Sequence, residues 1–325
     1  MSDYYGTYGQ KVQYLSSDPP APQTGQVWYN STSAVLKVRS VTTTGSWATS
    51  GNLNTARGIM ASAGTATAGL AVGGNASGTY VTNVEKYDGS VWTNSTVYPL
   101  TAAYIAGCGT QTAALTAGGN NNGPYTSAVR KFDGTTWTSG TGIPYGAEAG
   151  NLFGIQTAAI FFGGGDGGSP GYPAQSWSYN GTSWTSTPSL NNDNRYGSMA
   201  TGTQTAGLAA GGGSPTTTNT EKWNGSTWTN SGAIPFSVYN VSGNGVGTQG
   251  AAMLWFGSPA NITTQYFNGT SWSNQSASLT YPATGVAASA GTQSACFSGS
   301  GNPTLATTNN WTGAGVAATK TVTVT

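Results

Sequence analysis

Nine carboxylates, four arginines, two cysteines and no histidine are the inventory from which this chain of 325 residues could build a reactive site. The missing histidine removes the commonest general base, the Ser-His and Cys-His nucleophile pairs and most zinc sites. The carboxylates are Asp3, Asp18, Glu85, Asp88, Asp133, Glu148, Asp166, Asp193 and Glu221. Asp88 and Asp133 stand where Asn180, Asn224 and Asn268 stand in related stretches: KYDGSVWT, KFDGTTWT, SYNGTSWT, KWNGSTWT and YFNGTSWS. A catalytic carboxylate would not tolerate that exchange, whereas a turn would. The arginines are Arg39, Arg57, Arg130 and Arg195. Paired carboxylates for glycoside hydrolysis would have to come from distant loops, with Glu148 and Asp166 as the residues to test.

The remaining candidates for chemistry are weak. GGGDGGSPG (163–171) is rich in glycine but lacks the Lys and Ser/Thr of a phosphate loop. One carboxylate within it, Asp166, does not make a calcium cage. Neither a cofactor nor a metal is expected. Asn180-Gly-Thr and Asn224-Gly-Ser have the form of glycosylation sequons, but they fall on the turns and no secretory signal precedes them. Cys108 and Cys296 are far apart and out of register with each other, so two buried free thiols are expected.

The elements that must position these residues come from an internal repeat. Trp47, Trp92, Trp137, Trp184, Trp228 and Trp272 recur at intervals of 45, 45, 47, 44 and 44. GTATA (64), GTQTA (109), GIQTA (154), GTQTA (202), GTQGA (247) and GTQSA (291) run in step with them. So does a glycine pair at 73, 118, 163 and 211, which decays to Gly-Ser at 257 and 299. This period fits propeller blades or paired-helix repeats, and 50 glycines with abundant threonine exclude helix. Each unit reads as four short strands. Asp88-Gly89, Asp133-Gly134, Asn180-Gly181, Asn224-Gly225 and Asn268-Gly269 read as type I′ hairpin turns with φ > 0 at both residues. The aromatic before each turn and the tryptophan after it should pack between neighbouring blades, as core rather than as a ligand platform.

The expected fold is therefore all-β: a propeller of six four-stranded blades over 41–325, preceded by an N-terminal arm, 1–40. In the last repeat, NNWTGAGV (309–316) places Val316 at the tryptophan position. The ring closes either through the strand ending at Trp47 or through the C-terminal TKTVTVT. A seventh blade follows if the N-terminal segment builds one. Within the arm, Trp28, Tyr29 and the strand 35–39 suggest a small hairpin. Tyr4, Tyr5, Tyr8 and Tyr14 make it tyrosine-rich. Such an arm is either an attachment segment or a plain tail.

Composition narrows the partners. Only 6% of residues are charged and the net charge is +1. That excludes the basic stripe of a nucleic-acid binder and the polybasic patch of a membrane-surface protein. No run of apolar residues is long enough for a membrane-spanning helix. The abundance of Trp, Tyr and Phe, in turn, argues against disorder.

The repeat resembles kelch repeats over residues 45–316, although the spacing from aromatic to Trp is five here and the last two units lose the glycine pair. The turn is also similar to the Asp box of sialidase propellers, one residue shorter and without their arginine cluster. A more specific resemblance is to virion proteins of marine bacteriophages, cyanophages among them. It is carried by YYGTYGQKVQYLSSDP (4–19), GQVWYNSTSAVLKVRSV (25–41) and GTQTAGLAAGGG…TEKWNGSTWT (202–229). This resemblance implies a non-enzymatic tail-fibre or appendage component located in the virion. Its arm, including Tyr4, Tyr5, Tyr8, Tyr14, Trp28 and Tyr29, would contact other virion proteins. Its propeller would face outward towards a host-surface glycan or protein. A collar, hub or capsid-decoration role and a propeller hydrolase are the alternatives. A surface poor in charge loses little to salt screening, which suits a particle exposed to seawater.

Overall fold

Alternating small and apolar residues bounded by glycine should give short strands buried on both faces, and each repeat folds that way. The computed structural model describes residues 12–322 except 24, 42–43, 124, 166–173, 194, 214–215, 241–244, 256, 258–262, 280–286, 302–303 and 315–316. Among the described residues every regular element is a strand. The chain divides into two compact units, Trp47–Trp311 and a smaller one made of Met1–Ser46 and Thr312–Thr325.

The larger unit is a six-bladed β-propeller. Blade one is Ala61–Thr65, Ala68–Val72, Val84–Tyr87 and Trp92–Asn94, paired antiparallel in that order. Blades two to four repeat the pattern from Ala106–Thr110, Asn151–Ile155 and Met199–Thr203. Blade five runs from Gly247–Thr248 to Trp272–Ser278. The first strand of each blade is innermost and packs beside its counterpart in the next, and Val246 bridges Gly291 between blades five and six. Blade six takes three strands from the last repeat, Ala288–Gly291, Ala295–Gly299 and Thr308–Thr312. Its outer strand is Ser46–Ser50. The strand carrying Trp47 therefore closes the ring at six blades, and Trp311 is the aromatic paired with it, at 5.2 Å between ring centroids. Val316 lies outside the described residues.

The core sits between blades, not along the axis. Six apolar clusters fill six interfaces. Phe132 packs with Leu70 between blades one and two. Phe297, Trp92 and Tyr87 seal blade six against blade one. Closing the ring thus buries the same kind of surface as every other junction, and no blade presents an open edge to the next.

The second strand pattern at the C-terminus goes elsewhere. Ala317–Val322 pairs antiparallel with Val35–Val41, which pairs with Val27–Asn30, which pairs in parallel with Gln13–Leu15. The boundaries expected at 40/41 and the chain end thus differ from those observed at 46/47 and 311/312. The C-terminal strand is part of the small unit. In that unit Asp18 accepts from Trp28 Nε1 (3.1 Å), Asn30 Nδ2 (2.7 Å) and Lys37 Nζ (2.7 Å). These donors, Lys37 foremost, lower the Asp18 pKa to about 2. Trp28 is fully buried, while Tyr14 is exposed and stacks on Tyr29 at 5.2 Å. Tyr4, Tyr5 and Tyr8 lie outside the described residues.

The hairpin turns differ from the expected type I′. Tyr87 pairs with Trp92, so Asp88 occupies the first position of the turn and Gly89-Ser90 its centre. Only Gly89 has positive φ, at 100°; Asp88 does not. Asp88 acts through its side chain, and Oδ1 accepts from the backbone N–H groups of Ser90 and Val91, both at 2.8 Å. Asn180, Asn224 and Asn268 do the same with the oxygen of an amide. Asp and Asn interchange because both offer that oxygen in one place.

A pH prediction follows from the difference between them. Backbone N–H donors hold Asp133 and Asp88 below the usual carboxylate range. A depressed native pKa adds stability above the unfolded value, near 3.9, that is lost as pH falls through the native value. The double variant Asp88→Asn/Asp133→Asn should therefore lose less melting temperature than the native protein between about pH 4 and pH 2. Thermal unfolding followed by circular dichroism across that range checks it, and equal acid slopes would contradict it.

Candidate functional site

The residues singled out by the repeat bind blade to blade. Trp92, Trp137, Trp184, Trp228 and Trp272 each pack against the aromatic across their hairpin, with ring centroids from 4.6 Å for Tyr179–Trp184 to 5.4 Å for Trp223–Trp228, and Trp47 packs against Trp311. Each indole N–H then donates to the preceding blade: Trp92 to Thr308 Oγ1 and Trp272 to Thr220 Oγ1 (2.9 Å), Trp137 to Thr96 O (3.2 Å), Trp184 to Thr141 O (2.9 Å). Trp47 reaches Thr264 Oγ1 and Trp228 reaches Ser176 Oγ. Lysines run the other way, with Lys86 Nζ donating to Gly134 O and Lys222 Nζ to Gly269 O of the following blade. The few charges present are thus largely structural.

The glutamine of GTQTA is a joint that the repeat pattern alone did not reveal. Gln156 Nε2 donates to Ala114 O and Phe132 O of the preceding blade, at 2.9 and 2.8 Å. Gln111, Gln204, Gln249 and Gln293 each hold the equivalent two carbonyls. Blade one has Ala66 in that place. The signal was present, since a polar residue held in a tight turn through five repeats must satisfy something. Gln156→Ala should cost about 1–3 kcal/mol by orphaning two half-buried carbonyls, measured as a urea-midpoint shift. An exposed exchange such as Thr93→Ala should leave the midpoint in place.

The shared repeat position of Glu85 and Glu221, and that of Arg57 and Arg195, resolves into two ion pairs within blades one and four. Arg57 Nη1 binds Glu85, and Arg195 Nη2 binds Glu221 at 2.5 Å, with all four side chains fully buried. Burial pulls both arginine pKa values down and the partner carboxylate pulls them back up. Glu221 also accepts from the backbone and side-chain amides of Asn191 and Asn192. Asp166 lies outside the described residues, so only Glu148 of the two carboxylates marked for testing can be placed.

Glu148 belongs to a constellation at one mouth of the central channel. Two residues before the inner strand, four successive blades carry Ile59, Tyr104, Ala149 and Gly197, all left-handed with φ of 60°, 57°, 51° and 59°. Their backbones chain together: Tyr104 N donates to Ile59 O, Ala149 N to Tyr104 O and Gly197 N to Ala149 O, at 3.1, 3.0 and 2.9 Å. Asn240, in blade five, is left-handed as well, with φ 51°. For a β-branched residue such as Ile59 this conformation costs about 1–3 kcal/mol, and strain of that kind gathers at ligand sites. Side chains descend from Ile and Tyr to Ala and Gly around the ring, and the space they leave is a small recess of about 20 Å³, room for about one water. Asn151 lines it. Its Nδ2 donates to Arg195 O at 2.8 Å, and its Oδ1, on a side chain 1% exposed, has no partner among the described residues. An unmade acceptor so deep costs about 1–3 kcal/mol unless something donates to it.

The rim is polar and aromatic. Glu148 Oε1 accepts from Tyr196 OH at 3.2 Å and Oε2 from Asn120 Nδ2 at 2.8 Å. Its backbone is held by a reciprocal pair of bonds to Gly165, at 2.9 and 2.8 Å. Tyr104 and Tyr196 lie 6.4 Å apart. Burial first, then neighbouring tyrosines and Glu148, raise the Tyr104 pKa, and burial and Glu148 raise that of Tyr80. These phenols stay protonated donors at neutral pH. Sequence reasoning had singled out Glu148 but missed Tyr104, Asn120, Asn151 and Tyr196. Asn120 repeats Asn75 of blade one, whereas the columns of Tyr104 and Tyr196 change from blade to blade, and that is where a signal lay. At the other mouth the channel, about 90 Å³, is walled by residues of all six blades, Gly64 and Gly109 among them. There Gly64 has φ 110° and a Cβ would sit 2.0 Å from Ala68 O, so no side chain fits. Cys108 and Cys296 are buried free thiols whose pKa values burial raises. Among the described residues no group of three acidic, Cys or His side chains could hold a metal ion.

No family model matches the chain. No curated protein matches it either. Among solved structures, one described as the structure of YjhT superposes with a TM-score of 0.63 at 12% identity, over 80% of this chain and 95% of that one. Together with the blade count this defines the chain as a six-bladed β-propeller. At that identity the likeness carries the fold alone.

Proposed function

We propose that this protein is a non-enzymatic structural component of a bacteriophage virion, of the tail-fibre or appendage kind. The small unit attaches to the particle and the propeller is presented for recognition of the host surface. The observation that carries the proposal is topological. The propeller is inserted between two neighbouring strands of one small sheet, Val35–Val41 and Ala317–Val322. The chain leaves the propeller through adjacent strands of blade six and enters adjacent strands of the small unit. A double-stranded connection of this form suits a module that is held at one place and works at another. Many copies on one particle would turn weak contacts into avidity. The resemblance of 4–19 and 25–41 to phage virion segments supports the same reading.

The charged groups support a binding role rather than a catalytic one. Glu85 and Glu221 are locked in ion pairs, and Asp88 and Asp133 are locked in turns. Antibody against the propeller should decorate purified particles in immunogold microscopy, and particles left bare would overturn the virion assignment. The Tyr196–Glu148 hydrogen bond favours a second reading, a propeller hydrolase acting on host polysaccharide. Turnover of that polysaccharide, abolished by Glu148→Gln, would establish it in place of the first.

A further inference from the structure

We infer that the tyrosines gathered around Glu148 on the rim of the channel mouth bind an organic cation, a quaternary ammonium group of the kind choline carries. This rests on the reading of the propeller as a recognition module and names a chemistry it recognises.

Three repeat columns bring the rings to one rim. Glu148, Tyr196 and Tyr239 each stand immediately before a left-handed residue, in blades three, four and five. Tyr104 is itself the left-handed residue of blade two. Tyr80 and Tyr125 share one loop position in blades one and two, Tyr80 paired with Asn75 and Tyr125 bridged to Asn120. Contacts tie the columns together. Tyr196 OH and Asn120 Nδ2 both donate to Glu148, and the Tyr104 ring lies 6.4 Å from that of Tyr196. Burial first, then Tyr80, Glu148, Tyr239 and Tyr125, raise the Tyr104 pKa, so all of them lie within electrostatic reach of that phenol. Each of the five tyrosines is half-buried, which leaves part of its surface open to a ligand.

Charge selects the ligand. The basic residues of the propeller are committed elsewhere. Arg57 and Arg195 hold Glu85 and Glu221. Lys86, Lys131 and Lys222 donate to the carbonyls of Gly134, Gly181 and Gly269, and Arg130 donates to Val129 O. Among the described residues Glu148 therefore meets only neutral donors, and its charge stands beside tyrosine rings with no cation to balance it. An anion is repelled there. A cation gains twice, from the carboxylate and from the negative faces of the rings. The rim is a surface and not an enclosed cavity, so a bound cation must shed part of its water without full burial. A primary ammonium holds its water strongly. A quaternary ammonium gives it up more readily and lays methyl groups on aromatic carbon, which favours the methylated group.

The test is saturation-transfer NMR on the full chain, titrated with choline, tetramethylammonium and neohexyl alcohol, the neutral carbon analogue of choline. Millimolar binding of both cations, tighter than that of neohexyl alcohol by about fivefold or more, is the expected result. That comparison uses the native protein, so the folding of a variant does not enter it. Tyr104→Leu should weaken choline binding about two- to fivefold, and Tyr104→Phe should retain it. Glu148→Gln should bring choline down to the level of neohexyl alcohol while the melting temperature stays within a few degrees of native. No transfer to either cation overturns the inference. So does equal binding of neohexyl alcohol, or choline binding undiminished in Glu148→Gln. Vesicles distinguish the two sources of the group. Flotation with phosphatidylcholine vesicles but not with phosphatidylglycerol vesicles supports the site and adds a lipid headgroup as its source. Choline binding without flotation supports the site for free solutes. Host cells separate the inference from the wider reading. Choline that binds and also blocks adsorption of labelled protein to cells supports both. Choline binding with no adsorption keeps the site and removes host recognition, whereas adsorption with no choline binding overturns the site and keeps recognition.

Discussion

Glu221→Ala should lower the unfolding free energy by about 3–5 kcal/mol. The alanine leaves the Arg195 guanidinium fully buried with no counter-charge, and it strips an acceptor from the backbone and side-chain amides of Asn191 and Asn192. Desolvation makes this a large effect. Among the described residues the guanidinium already leaves Nε without a partner, and its remaining bonds go to Gly211 O and Asn219 O. Neither carbonyl neutralises it. Most of that loss disappears if both partners go together. Arg195→Met/Glu221→Leu should lie within about 1–2 kcal/mol of the native protein, because removing a buried pair also removes its desolvation cost. Urea unfolding of the two singles and the double, read as a double-mutant cycle, checks both statements. A loss below about 1 kcal/mol in Glu221→Ala would mean that the pair is solvated.

The second large effect lies at the junction that closes the ring. Trp92→Ala should cost about 3–5 kcal/mol. Trp92 is 5% exposed, stacks on Tyr87 at 4.8 Å and meets Phe297 of blade six edge-on at 5.4 Å. Its N–H donates to Thr308 Oγ1, also of blade six. The substitution therefore opens a cavity between the first and last blades and orphans a buried hydroxyl. Trp137→Ala, at a half-buried site between blades one and two, should cost clearly less. This ordering separates the account from one in which all repeat tryptophans are equivalent. Thermal melting of the two variants side by side decides it.

Much of this fold is legible in the sequence, for a definite reason. Tryptophan, GTQTA and the glycine pair serve three different contacts, yet they share one period, and only a repeated unit of four strands satisfies all three. Partner choice was not legible. LKVRSV and TKTVTVT both read as strands, and alternation says nothing about which sheet a strand joins. The structure pairs LKVRSV, within Val35–Val41, with Ala317–Val322 in the small unit, and sends the separate strand Ser46–Ser50 to blade six. The hairpins show the limit of a dipeptide signal. Asp-Gly correctly marked a turn, but pairing Tyr87 with Trp92 moved Asp88 to its first position. The candidate site was the least legible part. Tyr104, Glu148, Asn151 and Tyr196 come from three blades, and their grouping depends on backbone turning left-handed at Tyr104, Ala149 and Gly197. Periodicity finds what blades share, whereas a site lies where they differ.

The central claim is that a propeller tethered through one small sheet works on a virion surface, and a cryo-EM map of the intact particle tests it most directly. The account predicts a ring of six blades projecting from the particle, with the small unit contacting neighbouring subunits. A ring wedged between subunits with its channel mouth covered would contradict outward recognition and leave a collar or decoration role. A particle with no such ring would contradict the virion assignment itself.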